Sequence, residues 1–129
     1  MKKTFKFTNE EWEKIISAIE GSSAAALWDE ANDNDLVRNA SYEDRKQFFL
    51  SVMYRLMKEG RLKLGNKSKF LEGTIEEQVE QYSDQWPKDE SMLDKFDFQF
   101  IQDPQDGALY YWAEGGFVWI YEDGFEEWT

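Results

Sequence analysis

The sequence predicts an α+β domain in which N-terminal helices pack on a C-terminal antiparallel meander of three to four strands. Capped helix starts come first, at Thr8 with Glu11, Ser41 with Asp44, and Thr74 with Glu77. Tight glycine turns come last, at Gly115-Gly116 and Asp123-Gly124, each between aromatic and β-branched runs. A length of 129 residues suits one domain, spanning 1–129.

The first helix should run from about Asn9 to Glu20. Thr8 and Glu11 have capping-box spacing, Phe7 and Trp12 the spacing of a hydrophobic staple, and Gly21 stands where the helix should end. Trp12, Ile15, Ile16 and Ile19 form its buried stripe. A second, shorter helix is expected from Ser23 to about Ala31, favoured by Ala24-Ala25-Ala26 and burying Leu27 and Trp28. The polar stretch Asn32-Asp33-Asn34-Asp35 resembles part of a calcium loop. Counted from Asp33, however, Arg38 and Asp44 occupy the places that need glycine and glutamate, so it reads as a polar loop.

The third helix starts at Ser41, presents Phe48, Phe49, Val52, Met53, Leu56 and Met57 as a wide apolar face, and ends at Gly60. Arg61-Leu62-Lys63-Leu64 then alternates like an edge strand with its charges outward. The basic residues Arg55, Lys58, Arg61, Lys63, Lys67 and Lys69 read as a solvated helix end in preference to a phosphate-binding patch. A fourth helix, capped by Thr74 and stopped by Pro87, buries Ile75, Val79 and Tyr82 and turns Glu76, Glu77, Glu80 and Asp84 outward. A capped turn follows at Ser91 and Asp94. Phe96, Phe98 and Phe100 alternate with Asp97 and Gln99, as a fourth strand or a short helix ending in a loop. Asp103-Pro104 and Asp106-Gly107 turn the chain into the meander.

With two-residue loops at both final turns, Ala113 would face Val118, Trp112 would face Trp119, Tyr111 would face Ile120, and Trp119 would face Trp128. One face then collects Tyr110, Trp112, Phe117, Trp119, Tyr121 and Trp128, and the other Leu109, Tyr111, Ala113, Val118, Ile120 and Phe125. Neither face is polar. Such a sheet must be covered on both sides or keep an aromatic face for a partner.

Charge is distributed unevenly. Residues 1–73 hold 13 Lys/Arg and 12 Asp/Glu, whereas residues 74–129 hold 2 and 15, so the net charge of −12 arises in the second part. That field repels nucleic acid and anionic membranes and attracts basic proteins; acidity would also keep an aromatic-rich chain dispersed in water. With no cysteine and no histidine, disulfides, thiolate metal sites and the commonest general base are excluded. No cofactor is expected. MKKTFKF opens with lysines, but Thr8-Asn9-Glu10-Glu11 interrupts it before any apolar run, so it is not read as a signal peptide, and a cytoplasmic location is expected. A glycosidase would need paired carboxylates beside a Trp112–Trp119 platform. A magnesium nuclease would need a basic path beside Glu122, Asp123, Glu126 and Glu127, which lie in the least basic region. The expectation is therefore a non-catalytic binding protein. A small regulatory or adaptor domain of unknown partner is the first alternative, and a carboxylate-dependent hydrolase the second.

The ending Val118-Trp119-Ile120, Glu122-Asp123-Gly124 and Glu127-Trp128-Thr129 resembles that of a small family of uncharacterised bacterial proteins. In its general make-up the chain is also similar to the cytoplasmic immunity proteins of contact-dependent growth inhibition systems. That resemblance implies stoichiometric neutralisation of a cognate basic toxin domain, often a nuclease. The residues expected to meet such a partner are the acids Glu76, Glu77, Glu80, Asp84, Asp89, Glu90, Asp94, Glu122 and Asp123, with Tyr110, Trp112 and Trp119 as anchors.

Overall fold

A computed structural model describes residues 1–129. Four helices lead: α1 (Asn9–Ile19), α2 (Ala24–Asp33), α3 (Tyr42–Lys58) and, after the strands β1 (Leu62–Asn66) and β2 (Lys69–Phe70), α4 (Ile75–Gln85). A 3₁₀ turn (Glu90–Met92) precedes β3 (Phe100–Gln102), β4 (Leu109–Tyr111), β5 (Gly116–Ile120) and β6 (Glu126–Trp128). The architecture is α+β, with a four-stranded antiparallel sheet in the order β2-β1-β5-β6 and a separate β3-β4 pair.

Local chemistry sets the helix starts. The Thr8 hydroxyl accepts from the Glu11 amide at 3.1 Å while the Glu11 carboxylate accepts from the Thr8 amide at 2.8 Å, so two otherwise orphaned donors are satisfied. Thr74 and Glu77 repeat the box on α4, and Ser41 caps α3 through the Asp44 amide. Phe7 stacks on Trp12 with centroids 5.7 Å apart. The later turn is capped by Asp89, whose carboxylate accepts from the Ser91 amide, and not by Ser91 as expected.

Helix α3 is the central element, packed against α2, α4 and β1. Its Phe49 ring lies 5.0 Å from Trp86, 5.2 Å from Phe98 and 5.6 Å from Tyr82. Trp28 and Trp112 extend this aromatic cluster. The Trp86 indole is matched: its Nε1 donates to the Tyr42 hydroxyl at 2.8 Å, and that hydroxyl donates to the Pro87 carbonyl at 2.7 Å.

The expected meander is corrected in two places. Gly115-Gly116 does not close a β4–β5 hairpin. A type I′ turn needs positive φ at both positions, and neither glycine has it. They mark close packing instead, since a Cβ on Gly115 would stand 3.0 Å from Leu71 Cδ1 and 3.2 Å from the Gly65 nitrogen. Strand β5 therefore pairs with β1, Leu62 opposite Trp119 and Leu64 opposite Phe117, while β4 pairs with β3. Trp112 and Trp119 lie in different parts of the fold, and β1 is internal, not an edge strand.

The second hairpin exists, but its loop has three residues. Tyr121 N–H donates to the Phe125 carbonyl and Gly124 N–H to the Tyr121 carbonyl, with Gly124 alone in the left-handed region at φ +86°. The extra residue shifts the register by one. Val118 faces Trp128 and Trp119 faces Glu127, so Trp119 and Trp128 point to opposite sides of the sheet. Of the alternating phenylalanines, only Phe100 joins β3, and Phe96 is 96% exposed.

Both sheet faces are covered, by different means. Phe117 and Trp119 join the core beneath the helices. On the outer face Trp128 stacks on Phe70, centroids 5.2 Å apart, and its ring lies across Gly65. A Cβ at Gly65 would meet that ring at 2.6 Å, so Gly65→Ala must expel it. The expected cost is about 1–3 kcal/mol by urea denaturation, with quenched or shifted Trp128 fluorescence. A Gly65→Ala protein as stable as wild type would contradict this packing.

Candidate partner-binding surface

Where α1 ends, α3 ends and the β5–β6 hairpin projects, the chain forms an open cleft of about 1070 Å³. Helix α1 supplies Glu13 and, just beyond its end, Glu20; these seven-apart positions lie together along one flank of the Ile15, Ile16 and Ile19 stripe, beside Ile16. The end of α3 supplies Glu59, and Arg61 follows it. The β5–β6 segment supplies Ile120, Tyr121, Glu122, Asp123, Phe125 and Glu127. Six carboxylates and one guanidinium thus line the cleft. No three carboxylates converge closely enough to hold a metal ion.

Arg61 organises one wall, with Nη2 2.7 Å from Glu20 Oε2 and Nη1 3.9 Å from Glu59 Oε1. Glu59 is shared with Arg55 at 3.0 Å. On the other wall the Tyr121 hydroxyl donates to Glu127 Oε1 at 2.5 Å. That hydrogen bond, with some burial, pushes the Tyr121 phenol up to about 12, so it stays a donor throughout the physiological range. Asp123 accepts from the Phe125 amide at 2.9 Å and shapes the loop. Glu13 and Glu122 are exposed and carry no intramolecular partner, and Phe125 stands 60% exposed at the rim. The cleft therefore presents negative charge and an apolar tip together.

Of the residues expected from sequence to meet a partner, only Glu122 and Asp123 lie in this cleft. The remaining acids are mostly engaged within the chain. Glu76 pairs with Lys58 at 3.1 Å and accepts from the Tyr54 hydroxyl, and the Lys58 contact holds its carboxyl below the usual range. Glu77 closes the α4 capping box, and Glu80 meets the N-terminal amine at 3.3 Å. Glu90 takes both Arg45 Nη atoms at 2.6 Å, which lowers its carboxyl. Asp89 caps the 3₁₀ turn, and Asp94 accepts from the Phe96 and Asp97 amides. Asp84 is exposed and unengaged on α4.

The three anchors also separate. Trp119 is 1% exposed and belongs to the core, so it is not available to a partner. Trp112 is half-buried, its Nε1 donating to the Phe98 carbonyl. Tyr110 is 50% exposed on β4, outside the cleft. None of Glu13, Glu20, Glu59, Arg61, Tyr121, Phe125 and Glu127 was among the residues expected from sequence to meet a partner; Arg61 was read as part of a basic helix end, Tyr121 and Phe125 as sheet-face aromatics, and Glu127 as one of the C-terminal acids.

The family model described as Protein of unknown function, DUF596, matches residues 57–129, a span holding all six strands and α4. Among solved structures, an uncharacterised protein conserved in bacteria, from Neisseria meningitidis, is similar with a TM-score of 0.65. At 20% identity the match covers 92% of this chain and 87% of that chain. At this identity the likeness shows the fold alone. Comparison with curated proteins gives no match.

Proposed function

Since the chain belongs to the DUF596 family of bacterial proteins of unknown function, we propose its role from the surface it presents: stoichiometric, non-catalytic binding of a basic protein. The observation that carries this reading is the cleft, lined by six carboxylates and a single guanidinium beside the exposed ring of Phe125. Such a surface accelerates encounter with a cation-rich partner by roughly 10 to 1000-fold at low salt. The apolar rim then supplies contact area that slows dissociation. The chain is proposed to act in the cytoplasm; no helix in it is long and apolar enough to cross a membrane.

Within this class we propose the role of an immunity protein that neutralises a cognate toxin domain. The support is the acidic, cysteine-free, tryptophan-rich make-up and the concentration of acids around one concavity. Many toxin domains act on nucleic acid and are basic for that reason. The test is co-expression with the adjacent reading frame of the source genome. The neighbour should arrest growth when expressed alone and be silenced by this chain, and the pair should co-purify at 1:1 and come apart in high salt. A neighbour that is harmless, or that kills equally well with this chain present, ends the immunity reading.

A further inference from the structure

We propose that the outer edge of β4 receives an extended, basic segment of the partner as a third strand of the β3–β4 sheet. Trp112 N–H donates to the Gln99 carbonyl and Asp103 N–H to the Ala108 carbonyl, on either side of the Ile101–Tyr110 pair. In an antiparallel ladder this alternation turns the N–H and C=O groups of Leu109 and Tyr111 away from β3, toward open solvent. The far side of β3 differs. There Phe100 N–H donates to the Asp97 carbonyl and the Phe100 carbonyl accepts from Asp94 N–H, so that edge is closed by the chain itself.

The other free edges carry charge that discourages pairing. Strand β6 holds Glu126 and Glu127, and β2 is only two residues long and holds Lys69. Strand β4 carries none. Its three residues are uncharged and unusually open, with Leu109 52%, Tyr110 50% and Tyr111 43% exposed. Leu109 and Tyr111 share one face with Phe100, and Tyr110 shares the other with Ile101. An added strand would thus find apolar neighbours on both sides.

Charge complementarity selects the occupant. The stretch 96–129 contains eight Asp/Glu and no Lys or Arg, and Asp103, Asp106 and Glu114 bracket β4. A second copy pairing through this edge would set the same acids against each other, in chains of net charge −12. A strand of about five residues, apolar on both faces at its centre and flanked by Lys or Arg, satisfies both the ladder and the flanks. This inference rests on the proposed binding of a basic partner, but not on use of the cleft.

The test uses the full chain and the blocked peptide Lys-Lys-Val-Tyr-Val-Lys-Lys. Peptide should slow hydrogen exchange of the Leu109 and Tyr111 amides. Leu109→Pro removes one outward donor and leaves the Ile101–Tyr110 bonds intact, so binding should weaken about tenfold or more. Leu109→Lys keeps the backbone and puts a cation on the edge; it should weaken binding comparably even where the proline variant misfolds. Unchanged affinity in either folded variant, or protection appearing elsewhere, overturns the proposal. So does a concentration-dependent dimer abolished by Leu109→Pro, which would give the edge to a second copy. A toxin neutralised as well by Leu109→Lys as by wild type sinks the edge and leaves the proposed function standing. Peptide capture by a chain whose neighbour is harmless does the reverse.

Discussion

Replacing Trp119 by alanine should destabilise the protein by about 3–5 kcal/mol, a large share of the roughly 5–15 kcal/mol that holds a domain of this size. The indole is 1% exposed, packs 6.2 Å from the Phe117 ring, and lies opposite Leu62 in the β1–β5 ladder. Its Nε1 donates to the Ser22 carbonyl at 2.7 Å, tying the centre of the sheet to the α1–α2 junction. Truncation would leave a cavity and an unpaired carbonyl together. Trp128, on the other face and 40% exposed, should cost only about 1–2 kcal/mol when truncated, from its stacking on Phe70. Urea denaturation of the two variants measures the difference. Equal losses would contradict the burial of Trp119 against the exposure of Trp128.

That contrast shows where sequence reasoning reached its limit. The starts of α1, α3 and α4 were legible because an N-cap is satisfied by the residue three positions on: Thr8 and Thr74 close full capping boxes, and Ser41 accepts from the Asp44 amide. The β5–β6 hairpin was legible as a hairpin. Its register was not, because Asp123-Gly124 fits either a two-residue loop or the last two positions of a three-residue one. Gly115-Gly116 was misread for a different reason. A glycine pair signals either a turn or close backbone approach, and the atoms that decide, on Leu71 and Gly65, lie far away in the chain. The pairing of β1 with β5 joins residues as distant as Leu62 and Trp119, across α4 and the β3–β4 pair.

The acidic surface was legible only as composition. Nothing in a count of carboxylates tells which ones the chain consumes, and Glu90 with Arg45 or Glu80 with the N-terminal amine become partners only in the folded state. Tertiary engagement consumes acids on α4 and in the cleft alike, and it leaves Glu13 and Glu122 as the cleft carboxylates without a partner. There, Glu13 and Glu20 from one end of the sequence join Glu122 and Glu127 from the other.

If that cleft steers the partner, Glu13→Gln together with Glu122→Gln should slow association about tenfold or more at low ionic strength and leave the dissociation rate nearly unchanged. Neither carboxylate has an intramolecular partner, so the fold should not suffer. At about 1 M salt, where the Debye length falls to ~3 Å, the difference from wild type should vanish. Phe125→Ala should do the opposite, raising the dissociation rate by an amount worth about 2 kcal/mol or more if the exposed ring is an anchor. The decisive control is Asp84→Asn. This carboxylate is as unengaged as Glu122 but sits on α4, outside the cleft. A uniform field would make each lost charge count alike, whereas a concave site with low-dielectric walls concentrates its effect on the charges that line it. Stopped-flow association rates therefore decide between them. Equal slowing per charge removed at Asp84 and at Glu122 would reduce the cleft to one part of a generally acidic surface, and a slowing confined to Glu13 and Glu122 would make it the recognition site.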